Sequence, residues 1–143
     1  MKRFIILLAT ILPLSAMAQT TTIDSLIDEY SLKDNCTAIK ISNTMLRSME
    51  INIEAEYMRV LAVEDEQLVP TFSKQAREAI SIYEVVMSVN TDGKSVEIYQ
   101  NTSTNGTVSD IYIFVCDKEE GVLMHVTGKN LELSNMGSII SQF

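Results

Sequence analysis

The sequence predicts an α+β fold, with helices packed on one face of a mostly antiparallel sheet of about six strands. Helix-like and strand-like apolar patterns alternate over the first half of the chain, and short turns join four strand-like runs over the second half. The composition, 46% apolar and 21% charged over 143 residues, suits one globular domain. No internal repeat or linker interrupts it.

The first two elements after the N-terminal region are a helix and a strand. Apolar residues at helical spacing predict a helix over about 22–33, and the preceding threonines are suitable N-caps. Side chains then alternate over Cys36–Ser42, so that Ile39 and Ile41 share one side. This pattern predicts a half-buried strand.

Two further helices and a strand are expected between Ser42 and Ser81. Ser42 or Asn43 can cap a short helix, and a second strand follows near Tyr57–Val63. Pro70 suits the first turn of a third helix, which we expect to end near Ser81 because the β-branched valines that follow favour a strand.

The second half of the chain predicts a four-strand antiparallel meander. Asp92-Gly93 and Asn105-Gly106 are typical hairpin turns, and Gly121 follows a third, acidic turn. The predicted strands cover 83–90, 94–101, 108–117 and 122–127. After Gly128, helical spacing predicts a closing helix with an apolar face of Leu133, Met136, Ile140 and Phe143.

The N-terminus has the pattern of a secretory signal peptide. A Lys-Arg pair precedes an apolar run of about 11 residues, too short to span a bilayer. Ala16 and Ala18 suit a signal peptidase, so we expect residues 1–18 to be removed and residues 19–143 to form a single exported domain. The location expected is periplasmic or secreted, and the mature protein is expected to be soluble, with no integral membrane segment.

The charge balance disfavours polyanionic partners. Eleven Lys and Arg against nineteen Asp and Glu give a net charge of −8, and cleavage after Ala18 removes two more positive charges. Such a chain lacks the basic surface that nucleic acid requires and is repelled by anionic lipid headgroups.

The order of elements resembles a family of small exported proteins of Bacteroides-like bacteria, domain of unknown function four-two-five-two. The resemblance rests on the spacing of apolar residues and of the turns between elements, and it covers nearly all of the mature chain. It is carried by Ile23-Asp24-Ser25-Leu26 before an EYS-K segment, Thr37–Ser42 followed by Met45, and the run Ile111–Gly128. It implies a small envelope protein and transfers no catalytic residue.

No pattern of catalytic, cofactor-binding or metal-ligating residues is present. His125 is the only histidine, and no Gly-x-Ser-x-Gly motif accompanies it. We expect it to be a strand residue on the less buried side of the sheet. The acidic turns at 64–66 and 117–120 lack the spacing of a calcium loop. The chain is therefore expected not to be an enzyme and to use no cofactor or metal.

Strand alternation suggests a contact surface. If the aliphatic residues of the sheet face the helices, the opposite side carries an aromatic face, defined as Tyr99, Tyr112, Phe114, Leu123 and His125. An uncovered aromatic face favours an interaction module that binds an envelope protein or a second copy. Alternatively, the short helix and the 50–56 segment cover this face and it is core. A small-molecule or lipid carrier with these aromatics lining a pocket is the second hypothesis, and a hydrolase using His125 is a distant third.

The two cysteines, Cys36 and Cys116, fall on the same predicted side of the sheet. An oxidising compartment permits a disulfide if their strands are neighbours. Because the strand order is not readable from the sequence, both the bridge and two free thiols stay open, and free thiols are favoured.

Overall fold

The computed structural model describes residues 22–50 and 54–132. The predicted signal peptide, the predicted closing helix and part of the 50–56 segment lie outside the described residues.

The described chain contains three helices and six strands. The helices are α1 (Ile23–Tyr30), α2 (Asn43–Ser48) and α3 (Val69–Ile80). The strands are β1 (Cys36–Ser42), β2 (Ala55–Val63), β3 (Glu84–Thr91), β4 (Lys94–Thr102), β5 (Val108–Cys116) and β6 (Gly121–Gly128). Each element expected within these ranges is present, with ends that differ by up to three residues from those predicted.

The strands form one sheet in the order β1-β2-β6-β5-β4-β3, and every neighbouring pair is antiparallel. Strands β3 to β6 form the predicted meander. β2 pairs with β6, which joins the antiparallel pair of β1 and β2 to the end of the meander. The α+β fold with a six-strand antiparallel sheet is confirmed.

Local sequence signals explain where several elements begin and turn. The Thr22 hydroxyl accepts a hydrogen bond from the Ser25 amide at 3.1 Å and caps α1. The Ser42 hydroxyl caps α2 in the same way. Asp92 and Gly93 both have positive φ, 51° and 79°, as the two central residues of a type I′ hairpin require.

The two longer helices cover one face of the sheet. Buried residues of α1 and α3 pack with strand residues in one apolar cluster, which includes Phe72 of α3 and Phe114 of β5. The short helix α2 lies on the other side, where its Leu46 packs in a second cluster with aliphatic strand residues. Helices are thus found on both faces, with the longer two on the same one.

The aromatic face is the face that α1 and α3 cover, so the prediction that it is uncovered is wrong. Its five members, Tyr99, Tyr112, Phe114, Leu123 and His125, are all buried. Ile98, Ile111 and Ile113, which were expected to face these helices, belong to the opposite cluster. The alternative that the aromatic face is core is correct. Among the described residues it is covered by α1 and α3, however, and not by the short helix and the 50–56 segment as that alternative expected.

Candidate functional site

His125 is the centre of a polar contact beneath α1. Its Nε2 atom lies 2.8 Å from Oδ1 of Asp110, which projects from the neighbouring strand β5. Its ring stacks on Tyr112, directly opposite in the sheet, at 4.6 Å between centroids, and Tyr112 in turn stacks on Tyr83. With only 5% of the residue exposed, His125 does not lie on a less buried side as predicted.

The Asp110 carboxylate is stabilised by three hydrogen-bond donors. Burial alone would raise its pKa, but hydrogen bonds from His125, Asn101 and Ser109 outweigh burial and hold the pKa of Asp110 at about 2. The Asn101 amide and the Ser109 hydroxyl reach the second carboxylate oxygen at 3.1 and 2.9 Å. Asp110 is therefore ionised at every physiological pH.

Charged residues of α1 extend this contact toward the surface. Nδ1 of His125 lies 3.6 Å from Oδ1 of Asp24 and has no hydrogen-bond partner among the described residues. Arg59 of β2 pairs with Asp24 at 3.3 Å and with Asp28 at 2.6 Å. We call Asp24, Asp28, Arg59, Asp110 and His125 the His125 cluster; its contacts tie the exposed side of α1 to the sheet.

The polar contacts of His125 are with carboxylates and with no described nucleophile. Within the described residues, no serine hydroxyl or cysteine thiol bonds to the imidazole, whose polar neighbours are the carboxylates of Asp110 and Asp24. Burial also raises the pKa of the adjacent Tyr112 phenol, so this hydroxyl stays neutral. The described chain contains no group of three residues able to hold a metal ion.

The two cysteines are free, and the strand order explains why. Cys36 pairs with Val63, Val63 with Gly121, and Gly121 with Cys116, so the two cysteines share one row of the sheet. Three strand intervals separate them, or about 14 Å, whereas a disulfide needs Cα atoms within about 7 Å. The predicted shared face is correct, and the disulfide alternative is wrong.

Two clefts formed by described residues lie away from the aromatic face. One cleft of about 450 Å³ lies between α1 and the β1 edge, lined by Asp24, Ala38, Ile39, Lys40, Tyr57 and Arg59. Another, of about 200 Å³, lies on the opposite face, lined by Lys94, Val96, Ile113, Val115, Glu120, Val122 and Met124. The aromatic side chains line neither of them, because they pack against each other and the helices.

The exposed apolar surface is concentrated on the edge strand β3. All eight of its residues are exposed, and no described strand pairs with its outer side. We define the β3 edge as Val85, Val86, Met87 and Val89, whose exposed fractions lie between 39% and 54%. The other edge strand, β1, has one exposed large apolar residue, Ile39.

Residues 30–139 match the family model described as a domain of unknown function, DUF4252. The chain belongs to this family. The resemblance identified from the sequence is confirmed. No curated protein and no solved structure shows significant similarity to the chain.

The DUF4252 match includes the β3 edge and three members of the His125 cluster, Arg59, Asp110 and His125. It begins at the last residue of α1, so Asp24 and Asp28 precede it. The family description assigns no activity, so no functional residue transfers to the chain. Within the described ranges, no helix of this DUF4252 protein is long and apolar enough to cross a membrane.

Neither the β3 edge nor the partners of His125 were predicted from the sequence. A signal for Asp110 was present, since it precedes Tyr112 by two residues and so shares its face. A signal for β3 was also present, because Val85, Val86 and Met87 are apolar at three consecutive positions, which places apolar side chains on both faces of the strand. The contacts that Asp24 and Arg59 make could not be predicted from a local sequence pattern, because they join elements that are distant in the chain.

Proposed function

We propose that the protein is an exported, non-enzymatic interaction module that binds a protein partner by adding a strand to β3. The observation that carries the proposal is the exposed apolar β3 edge at the end of the sheet. Edge strands of native proteins are commonly protected by charges or covered, because their free main-chain groups invite pairing. Glu84, at one end, is the only charged residue of β3.

The hairpin geometry indicates which main-chain groups are free. Thr91 and Lys94 close the two-residue turn and therefore exchange hydrogen bonds with each other. Because bonding alternates along an antiparallel pair, the main-chain groups of Asn90 and Ser88 point away from β4. Val86 interrupts the pairing as a bulge, so the regular part of the free edge runs over 87–91.

Export supports an envelope partner for this module. The N-terminal Lys-Arg pair, the short apolar run and the alanines at 16 and 18 have the features of a cleaved signal peptide. Removal of residues 1–18 leaves a net charge of about −10, which disfavours anionic lipid and nucleic acid as partners.

The alternatives have less support from the packing. The carrier hypothesis needs the aromatic residues to line a pocket, whereas Phe72, Phe114 and Tyr30 pack ring against ring in the core. The hydrolase hypothesis needs a nucleophile beside His125, where the described chain has two carboxylates.

The proposal is tested by changing the edge without changing the core. In Met87→Lys/Val89→Lys, two exposed apolar side chains become charged. In Ser88→Pro, a main-chain donor that points away from β4 is removed. Leu32→Lys is the matched control, because Leu32 is 88% exposed and lies outside the sheet. Each variant, checked for folding by circular dichroism, is used to capture partners from envelope extract.

We expect the parent protein and Leu32→Lys to retain the same partner, and both β3 variants to lose it. Equal retention by folded β3 variants would contradict the proposal. Recovery of a full-length, membrane-embedded chain from cells would contradict its export component.

A further inference from the structure

We infer that the strand added to β3 is β3 of a second copy of this chain, paired antiparallel about a two-fold axis at Val89. This inference rests on the function proposed above and names the partner. The resulting dimer has a continuous sheet of twelve strands, since each copy contributes the six strands of its own sheet.

The free main-chain groups of β3 are self-complementary in this register. Placing Val89 opposite Val89 of the second copy brings Ser88 opposite Asn90 of that copy. By symmetry, Asn90 then lies opposite Ser88 of the second copy. These are the two residues whose groups point outward, so the two pairs form about four main-chain hydrogen bonds. Val89 occupies a position without such bonds, where facing Cα atoms are about 4.5 Å apart.

The side chains at the axis continue a row that already crosses the sheet. Val89 pairs with Val96, Val96 with Val115, and Val115 with Val122. A symmetric contact at Val89 joins two such rows into one line of eight valines. Facing β-branched residues stabilise neighbouring strands through side-chain contact, which favours this register.

Charge favours the antiparallel direction. In this register the two Glu84 residues lie ten residues apart along the strand axis, at a distance of about 34 Å. A parallel pairing in register would place them on adjacent strands, about 5 Å apart, where like charges are destabilising. The regular edge between them, Met87–Thr91, carries no charge.

The contact is short, so covalent trapping is the most direct measurement. Five residues per copy make an interface smaller than the roughly 20–30 residues a side of stable complexes, so the dimer is weak and its population depends on concentration. The test uses the exported protein with Cys36→Ser and Cys116→Ala, which removes both native thiols, and introduces Val89→Cys. Covalent dimer is measured by non-reducing electrophoresis and intact mass after mild oxidation.

Thr91→Cys in the same background is the matched control. Residue 91 is two residues from Val89 on the same side of the same strand. In the inferred register it faces Met87 of the second copy, so the two introduced thiols are about 14 Å apart. We expect Val89→Cys to form about ten-fold more covalent dimer than Thr91→Cys, because disulfide geometry requires close Cα atoms. Adding Ser88→Pro should abolish the dimer.

Equal cross-linking at positions 89 and 91, or none at 89, would overturn the inferred dimer. If Val89→Cys fails to cross-link while the β3 variants still lose an envelope partner, the proposed function stands with a different partner. If neither effect is observed, both the dimer and the strand-addition function are wrong.

Discussion

Replacement of Asp110 by Asn tests whether the His125 cluster stabilises the fold through a buried negative charge. The substitution keeps the size of the side chain and removes its charge, while His125, Asn101 and Ser109 remain in place. The side chain of Asp110 is 18% exposed and bonds to His125 at 2.8 Å, so solvent screens the interaction only in part.

The magnitude follows from the pKa of Asp110. A carboxyl whose pKa falls from 3.8 to about 2 on folding contributes about 2 kcal/mol to the free energy of unfolding at neutral pH. Because the folded pKa is the lower one, the contribution is complete well above pH 3.8 and is lost as the pH falls through 2. About half of it, roughly 1 kcal/mol, remains at pH 3.

The assay is urea denaturation of parent and Asp110→Asn at pH 7, 5 and 3. We expect the variant to be less stable by about 2 kcal/mol at pH 7 and by about 1 kcal/mol at pH 3. Asp34→Asn, at an exposed turn residue, is the control and should change stability by less than about 0.5 kcal/mol. A variant as stable as the parent at pH 7, or a difference that does not shrink with acid, would refute the reasoning.

Three further predictions concern the core, the thiols and the N-terminus. Phe114→Ala should lower the free energy of unfolding, measured by urea denaturation, by about 3–5 kcal/mol because the ring is fully buried. The control is Val85→Ala on the exposed edge. If Phe114→Ala costs no more than this control, the aromatic face is not core. Thiol counting of the denatured, unreduced protein should find Cys36 and Cys116 both reactive. A monomer with no reactive thiol would instead establish a disulfide bridge. Intact mass of envelope material should place the first residue at Gln19, and a full-length mass would contradict cleavage.

The order and type of the described elements could be predicted because their signals are local. Thr22 and Ser42 are caps within three residues of the amides that they bind. Asp92-Gly93 forms a two-residue hairpin because those residues tolerate the positive φ of both turn positions. Such signals act within a few residues, so they hold whichever way the strands are later arranged.

The two faces of the sheet show where this local information ends. Alternation correctly grouped Tyr112, Phe114 and Cys116 on one side. It could not show which side the helices cover, because both sides are apolar enough to be buried. Both are buried in the fold, and the side with the larger aromatic rings lies beneath α1 and α3.

The α+β class, the meander and the membership of each face could be predicted because periodicity, capping and turn chemistry are properties of neighbouring residues, and a resemblance indicated the family. The strand order is a property of the folded chain, and three outcomes follow from it. Cys36 and Cys116 are three strands apart, Asp110 meets His125 across β5 and β6, and β3 forms an exposed apolar edge. Strand order depends on how distant segments bury their surfaces together, which no local pattern encodes.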